Sequence, residues 1–366
     1  MTHPGIPARA LLLIPGGLAL LIGLNSALTL LDLPAPVTIT RLAEVHGVLL
    51  VLGFVGTVVA LERAVAAGRT LGYLAPAALG VGGVLLATPA PPSFANALLL
   101  VGTAGLLGLY VPLWRRSTDI AVLIQAGGAL LATGAALLWL VDIGVPTLIP
   151  WLSGFLILTI AGERLELARV IALPVRTELT LAAVAAALMA GALATLLWPT
   201  VGYPLLGAAL LALTGWLAWH DIARRTVRAT ALPRYMAVCL LAGYTWLLVP
   251  AVIWLLSGQV ISGRGYDAVV HAVMLGFVMS MIMAHAPVIM PAVLRRPLPY
   301  TPLMYGPVVL LHTSLLLRIA VGDARDVSAV VQIGGVLNIV AVLGFIAVAV
   351  FSAARSTVNR QERVAA

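Results

Sequence analysis

The sequence predicts an all-α, polytopic membrane protein of twelve transmembrane helices. Three observations lead there. Of the 366 residues, 62% are hydrophobic and only 9% charged, where a soluble globular chain carries nearer one quarter. Apolar runs of about 20 residues, the length needed to cross a bilayer, recur along the whole chain. The arginines fall at the termini or in every second connection, which is the positive-inside pattern of an even number of spans. Segments in lipid have no solvent to satisfy their backbone, so helices are the only fold open to such runs.

The spans are expected at about 10–32, 43–62, 72–89, 93–113, 119–141, 146–163, 177–198, 201–220, 235–257, 267–291, 302–321 and 328–352. The connections are short, so residues 1–366 read as a single integral membrane domain. The first span has no cleavage site after a short apolar run and reads as retained rather than as a signal peptide. It carries one amide, Asn25; the fifth carries Gln125, and the twelfth carries Gln332 and Asn338. Interhelical hydrogen bonding accounts for these amides. The ninth span holds the only cysteine, Cys239. A lone, buried cysteine excludes an internal disulfide and a cysteine-cluster metal site. The net charge of +8 comes entirely from arginine. Its distribution reports orientation, both termini cytoplasmic, rather than a nucleic-acid partner. Arg41, Arg264, Arg318 and Arg325 fall on the opposite side.

The even spans carry a shared motif. The second contains GFVGTVVALERAV from Gly53, the sixth GFLILTIAGERLEL from Gly154 and the tenth GFVMSMIMAHAPVI from Gly276. Nine positions after each glycine stands an ionisable residue: Glu62, Glu163 and His285. A threefold repeat of four-helix units, about 10–113, 119–220 and 235–352, follows from that register. The plain alternative is chance among glycine-rich spans with ordinary Glu-Arg pairs at cytoplasmic helix ends. On the functional reading Glu62 and Glu163 are a proton relay.

Ionisable groups inside a membrane are costly and mark function. His3 falls in the tail and His220 in WHDIARR at a boundary, leaving His46, His271, His285 and His312 within spans. His271 and His285 are fourteen residues apart, which puts them on one helix face about 21 Å apart along the axis. Neutral imidazole is the commonest metal and haem-iron ligand, and two such histidines can hold two stacked haems, as in b-type cytochromes. His46 and His271 fall at matching depth in the outer third. His285 pairs with His312 on one reading; on another His312 joins the outer group. Arg41, Arg264 and Arg318 are placed for haem propionates, or for snorkelling to lipid headgroups. Met274, Met279, Met281, Met283 and Met290 read as gap-filling core, and Pro287 and Pro291 are expected to kink the tenth span. No phosphate-binding loop, dinucleotide fingerprint or Ser-His-Asp arrangement is present.

LAGYTWLLVPAVIWL (241 to 255), then VHAVMLGFVMSMIMA and LLLRIAVGD, resembles the NnrS family of haem- and copper-containing bacterial membrane proteins. EVHGVLLVLGF in the second span and LTIAGER in the sixth are similar to its earlier motifs. The resemblance implies His46 and His271 as metal or haem ligands and Arg318 as a polar contact. It also implies haem b, one or two, with copper as a further metal, in a bacterial inner membrane protein linked to nitric oxide and nitrosative stress. If the protein is an enzyme, it is then an oxidoreductase acting on nitric oxide or quinol. Where that family has His-Thr-Gly-Arg after the tenth span, this chain has APVIMPAVLRRPLPY. The threefold twelve-helix design is also similar to subunit I of haem–copper oxidases. The sixth and seventh spans contain no histidine, however, so the three-histidine copper site of those enzymes is not encoded. Two further readings stay open: a b-type cytochrome acting as an electron conduit, and a metal-free proton-coupled transporter.

Overall fold

The computed structural model describes residues 8–39, 41–168 and 173–365, with side chains described as far as Arg355. His3 and Arg169 lie outside the described residues. Every regular element among the described residues is helical. Eleven helices are long and apolar enough to cross a membrane. We number the helices α1 (Ala8–Leu30), α2 (Arg41–Ala67), α3 (Thr70–Leu85), α4 (Pro92–Ser117), α5 (Ile120–Leu140), α6 (Val145–Ala168), α7 (Val175–Leu197), α8 (Pro199–His220), α9 (Ala231–Ser257), α10 (Gly263–Leu294), α11 (Pro302–Asp323) and α12 (Ser328–Arg355). The shorter apolar helix α3 coincides with the third predicted span. Each of the other eleven overlaps its predicted span.

The helices divide into two compact units. The first comprises residues 8–217 and 251–262; the second comprises residues 218–250 and 263–366. The eight helices of the first two predicted repeats therefore lie in the first unit, apart from the last turn of α8.

Apolar side chains face both inward and outward, as lipid requires. On α5 the outward row is Leu123, Leu130 and Leu137, seven residues apart and about half exposed. The inward row, Ala121, Gln125, Gly128 and Ala132, is small or polar. Small inward residues let helix backbones touch. A Cβ on Gly128 would come within 2.7 Å of the Phe155 carbonyl oxygen on α6. α6 is enclosed along most of its length, with Phe155, Leu156, Ile157 and Leu158 buried in succession. A helix apolar all round belongs at the centre of its unit. The Asp119 side chain caps α5, accepting from the Ala121 N–H at 2.7 Å, and Gly68, left-handed at φ 65°, ends α2.

Three of these helices contain a π-helical stretch: Leu49–Gly56 in α2, Ala272–Met279 in α10 and Leu317–Asp323 in α11. Such stretches insert an extra residue per turn and cluster at functional sites. Those in α2 and α10 enclose the shared Leu-Gly-Phe, and each begins just after an intramembrane histidine, His46 or His271. The matching Gly154-Phe155 of α6 lies in ordinary α-helix. The two prolines near the end of α10, Pro287 and Pro291, are carried within a continuous helix from Ser280 to Leu294. Met279, Met281 and Met283 are buried.

Candidate functional site

The N-terminal end of α10, in the second unit, is built around a carboxylate. Asp267 and His271 are one turn apart and share a face. The Nδ1 of His271 lies 2.9 Å from the Asp267 carbonyl oxygen and 3.2 Å from its Oδ1. From α11, Arg318 grips the same carboxylate with both arms: Nε donates to Oδ2 at 2.8 Å and Nη2 to Oδ1 at 2.7 Å. A planar guanidinium matches a carboxylate in this fork, the strongest kind of ion pair. Arg318 is buried, its side chain 8% exposed. It stands in the π-helical stretch of α11, and Gly334 of α12 makes room for it, since a Cβ there would come within 2.8 Å of the Arg318 Cβ. Asp323, five residues on, is also buried, and both its carboxylate oxygens lack a hydrogen-bond partner. Nearby, half-buried Arg264 donates to Asp326 Oδ1 at 2.8 Å and Ser328 Oγ at 2.6 Å.

His285 and His312, the other two histidines within spans of this unit, differ in their bonding. His285 is buried and its Nδ1 lies 2.8 Å from the Met281 carbonyl oxygen one turn back. His312 stacks parallel to the Trp246 ring, with centroids 6.4 Å apart. Its Nδ1 accepts from the Trp246 indole N–H at 2.8 Å. Indole is a donor only, so a neutral His312 carries its proton on Nε2. Ser280 gives its own proton to the Gly276 carbonyl at 2.6 Å and stands 3.3 Å from that Nε2. A directed chain results: Trp246 to His312 to Ser280 to Gly276. Both His312 nitrogens are engaged, and Ser280 places its ring between His271 and His285 along α10.

His46 belongs to the first unit. Its Nδ1 lies 3.0 Å from the Gly23 carbonyl oxygen of α1. A carbonyl can only accept, so Nδ1 of His46, His271 and His285 carries the proton and the basic lone pair falls on Nε2. Arg41, at the start of the same helix, donates to the Thr88 carbonyl at the end of α3.

The first unit also gathers the two Glu-Arg pairs that follow the Gly-Phe motifs of α2 and α6. Arg63 pairs with Glu62 beside it and lies 3.5 Å from Glu163 Oε1 on α6. Its Nη1 donates to Gln125 Oε1 on α5 at 3.0 Å. Glu62 and Glu163, aligned by register alone in the sequence, therefore share one guanidinium.

Sequence reasoning assigned no role to Asp267, Asp323, Trp246 or Tyr110. Asp267 carried a signal, being a carboxylate four residues before an intramembrane histidine. Trp246 and His312 are 66 residues apart, and no local pattern links them. Among the described residues, no three His, Cys, Asp or Glu side chains converge in a cluster fit for a metal ion. Haem iron needs no such cluster, since one imidazole holds one face of it.

No curated protein and no solved structure matches the chain. Residues 9–354, nearly its whole length, match the model of a family described as a domain of unknown function (DUF8744), and the chain belongs to that family.

Proposed function

We propose that this is a haem-binding protein of the bacterial inner membrane, with His271 as an iron ligand. The observation that carries the reading is the His271–Asp267–Arg318 relay. A ligating histidine characteristically gives its other N–H to a carboxylate or carbonyl, which fixes the ring and raises its basicity. Asp267 offers both to Nδ1 of His271, and Arg318 holds the carboxylate in place. The donor set therefore fits a haem. His46 and His285 carry the same tautomer, with Nδ1 bonded to a carbonyl. His312 would have to give up its bond to Trp246 or to Ser280 before it could ligate.

Bound haem would supply a redox-active iron able to hold a diatomic ligand such as nitric oxide. The chain's own part is to orient the imidazole and to hold the Asp267 carboxylate beneath it against Arg318. The α3 helix completes a twelve-span topology with both termini cytoplasmic, arranged as three four-helix repeats. Copper has no supporting observation of its own beyond the resemblance to NnrS.

The reading is tested by haem content. Full-length protein expressed with ample haem is expected to carry it, and His271→Ala to lose it while remaining helical and monodisperse. Undiminished haem in His271→Ala would remove His271 from the site. A second reading, a metal-free proton-coupled transporter, draws on the half-buried Glu62–Arg63–Glu163 group, and colourless wild-type protein would favour it.

A further inference from the structure

The polar group in the first unit takes no part in the haem reading. It draws on four helices: Glu62 and Arg63 from α2, Tyr110 from α4, Gln125 from α5 and Glu163 from α6. One guanidinium serves two carboxylates, bonded to Glu62 and 3.5 Å from Glu163. Three donors are buried there without a hydrogen-bond partner: Arg63 Nε, the Tyr110 hydroxyl and Gln125 Nε2. Tyr110 is 2% exposed and Gln125 fully buried, and Tyr110 lies within electrostatic reach of Arg63, Glu163 and Glu62.

Buried polar groups are almost always satisfied, by protein or by ordered water. Arg63 Nε and Gln125 Nε2 can only donate, so their partner is an acceptor and not a metal cation, while the Tyr110 hydroxyl can donate or accept. The charge balance narrows the choice further. Within ion-pair distance two carboxylates, Glu62 and Glu163, share the one guanidinium of Arg63, which leaves one negative charge among the three. Arg116 on α4 does not alter that count at close range, since its guanidinium caps the carbonyls of Ala66 and Ala67 at the end of α2. A single proton neutralises the group, and water is the acceptor small enough to meet three separate donors.

We propose that Glu62 and Glu163 form a hydrated proton-exchange site, holding one exchangeable proton between them, with ordered water joining the pair to Tyr110 and Gln125. Proton uptake converts one carboxylate to a carboxylic acid and consumes nothing else. Close like charges sharing one counter-ion titrate as a pair rather than singly.

Infrared difference spectroscopy on the full-length protein reads this directly, with or without haem. The wild type is expected to show the C=O stretch of a protonated carboxyl that moves on transfer to D2O. The band should be lost in Glu163→Gln or Glu62→Gln, displaced in Tyr110→Phe, and unchanged in Glu44→Gln, which alters an exposed carboxylate on α2. The deuterium shift is measured on the wild type, so it stands even where a variant fails to fold. A wild type without an exchangeable carboxyl band, or one from which neither glutamate substitution removes any carboxyl band, would overturn the proposal. Neither result depends on whether haem binds.

Discussion

Replacing Arg318 by methionine isolates the energy of the ion pair beneath the proposed haem ligand. Methionine keeps an unbranched chain of similar reach and removes the charge. In the native protein both Asp267 oxygens are held, at 2.7 and 2.8 Å, by a guanidinium that is 8% exposed, while Asp267 itself keeps 22%. An exposed pair contributes about 0–1 kcal/mol. A buried carboxylate stripped of its partner costs about 3–5 kcal/mol, because the remaining charge stays desolvated. The residual exposure of Asp267 favours the lower end, about 3 kcal/mol. At roughly 2–4 °C per kcal/mol, the unfolding midpoint should fall by roughly 6–12 °C. The chain supplies its own probe, since Cys239 is its only cysteine and is fully buried. A thiol-reactive dye therefore reports unfolding during a thermal ramp in detergent. Asp267→Asn combined with Arg318→Met should recover more than half of the loss, because the carboxylate that Arg318 held no longer carries a charge. If Arg318→Met alone stays within about 1 kcal/mol of the wild type, the range of a surface pair, the pair is solvated and the rigid support claimed for His271 does not exist.

Other substitutions test other joints of the structure by the same thermal assay. Gly83→Ala should cost about 1–2 kcal/mol: its Cβ would lie 2.7 Å from the Gly53 Cα, an overpacking against backbone that the gain in helix propensity only partly offsets. Trp246→Phe keeps a ring against His312 but removes the indole donor 2.8 Å from Nδ1. A loss of about 1–2 kcal/mol is expected for the unsatisfied nitrogen, and no loss would mean that His312 takes the other tautomer. Asp119→Ala should cost about 1 kcal/mol through the α5 cap.

The fold class was legible because lipid imposes a single rule on every residue of a span. Hydrophobic length and arginine spacing located each helix, and even the short α3 lies where expected. The Gly-Phe register set Glu62 and Glu163 at equivalent positions, and in the folded chain Glu163 lies 3.5 Å from Arg63, the neighbour of Glu62. Gln125, read only as an interhelical amide, turned out to bond that same arginine, while Asn338 bonds Ser314 across to α11. What stayed hidden was whatever depends on pairing across distant helices. Arg318 looked like a residue for a lipid headgroup or a propionate. Its partner Asp267 stands 51 residues away, and the sequence used that carboxylate only to mark the edge of the tenth span. The π-helical stretches were equally invisible, because an inserted residue within a turn leaves an apolar run still apolar. His312 was weighed by depth alone, whereas its role follows from an indole on another helix.

The haem reading stands on one measurement above the others: absorption spectra of the purified full-length protein, oxidised and then reduced with dithionite, before and after nitric oxide. The account predicts a Soret band with sharp b-type bands on reduction, shifted by nitric oxide and lost in His271→Ala. Protein expressed with ample haem that shows no Soret band would contradict it.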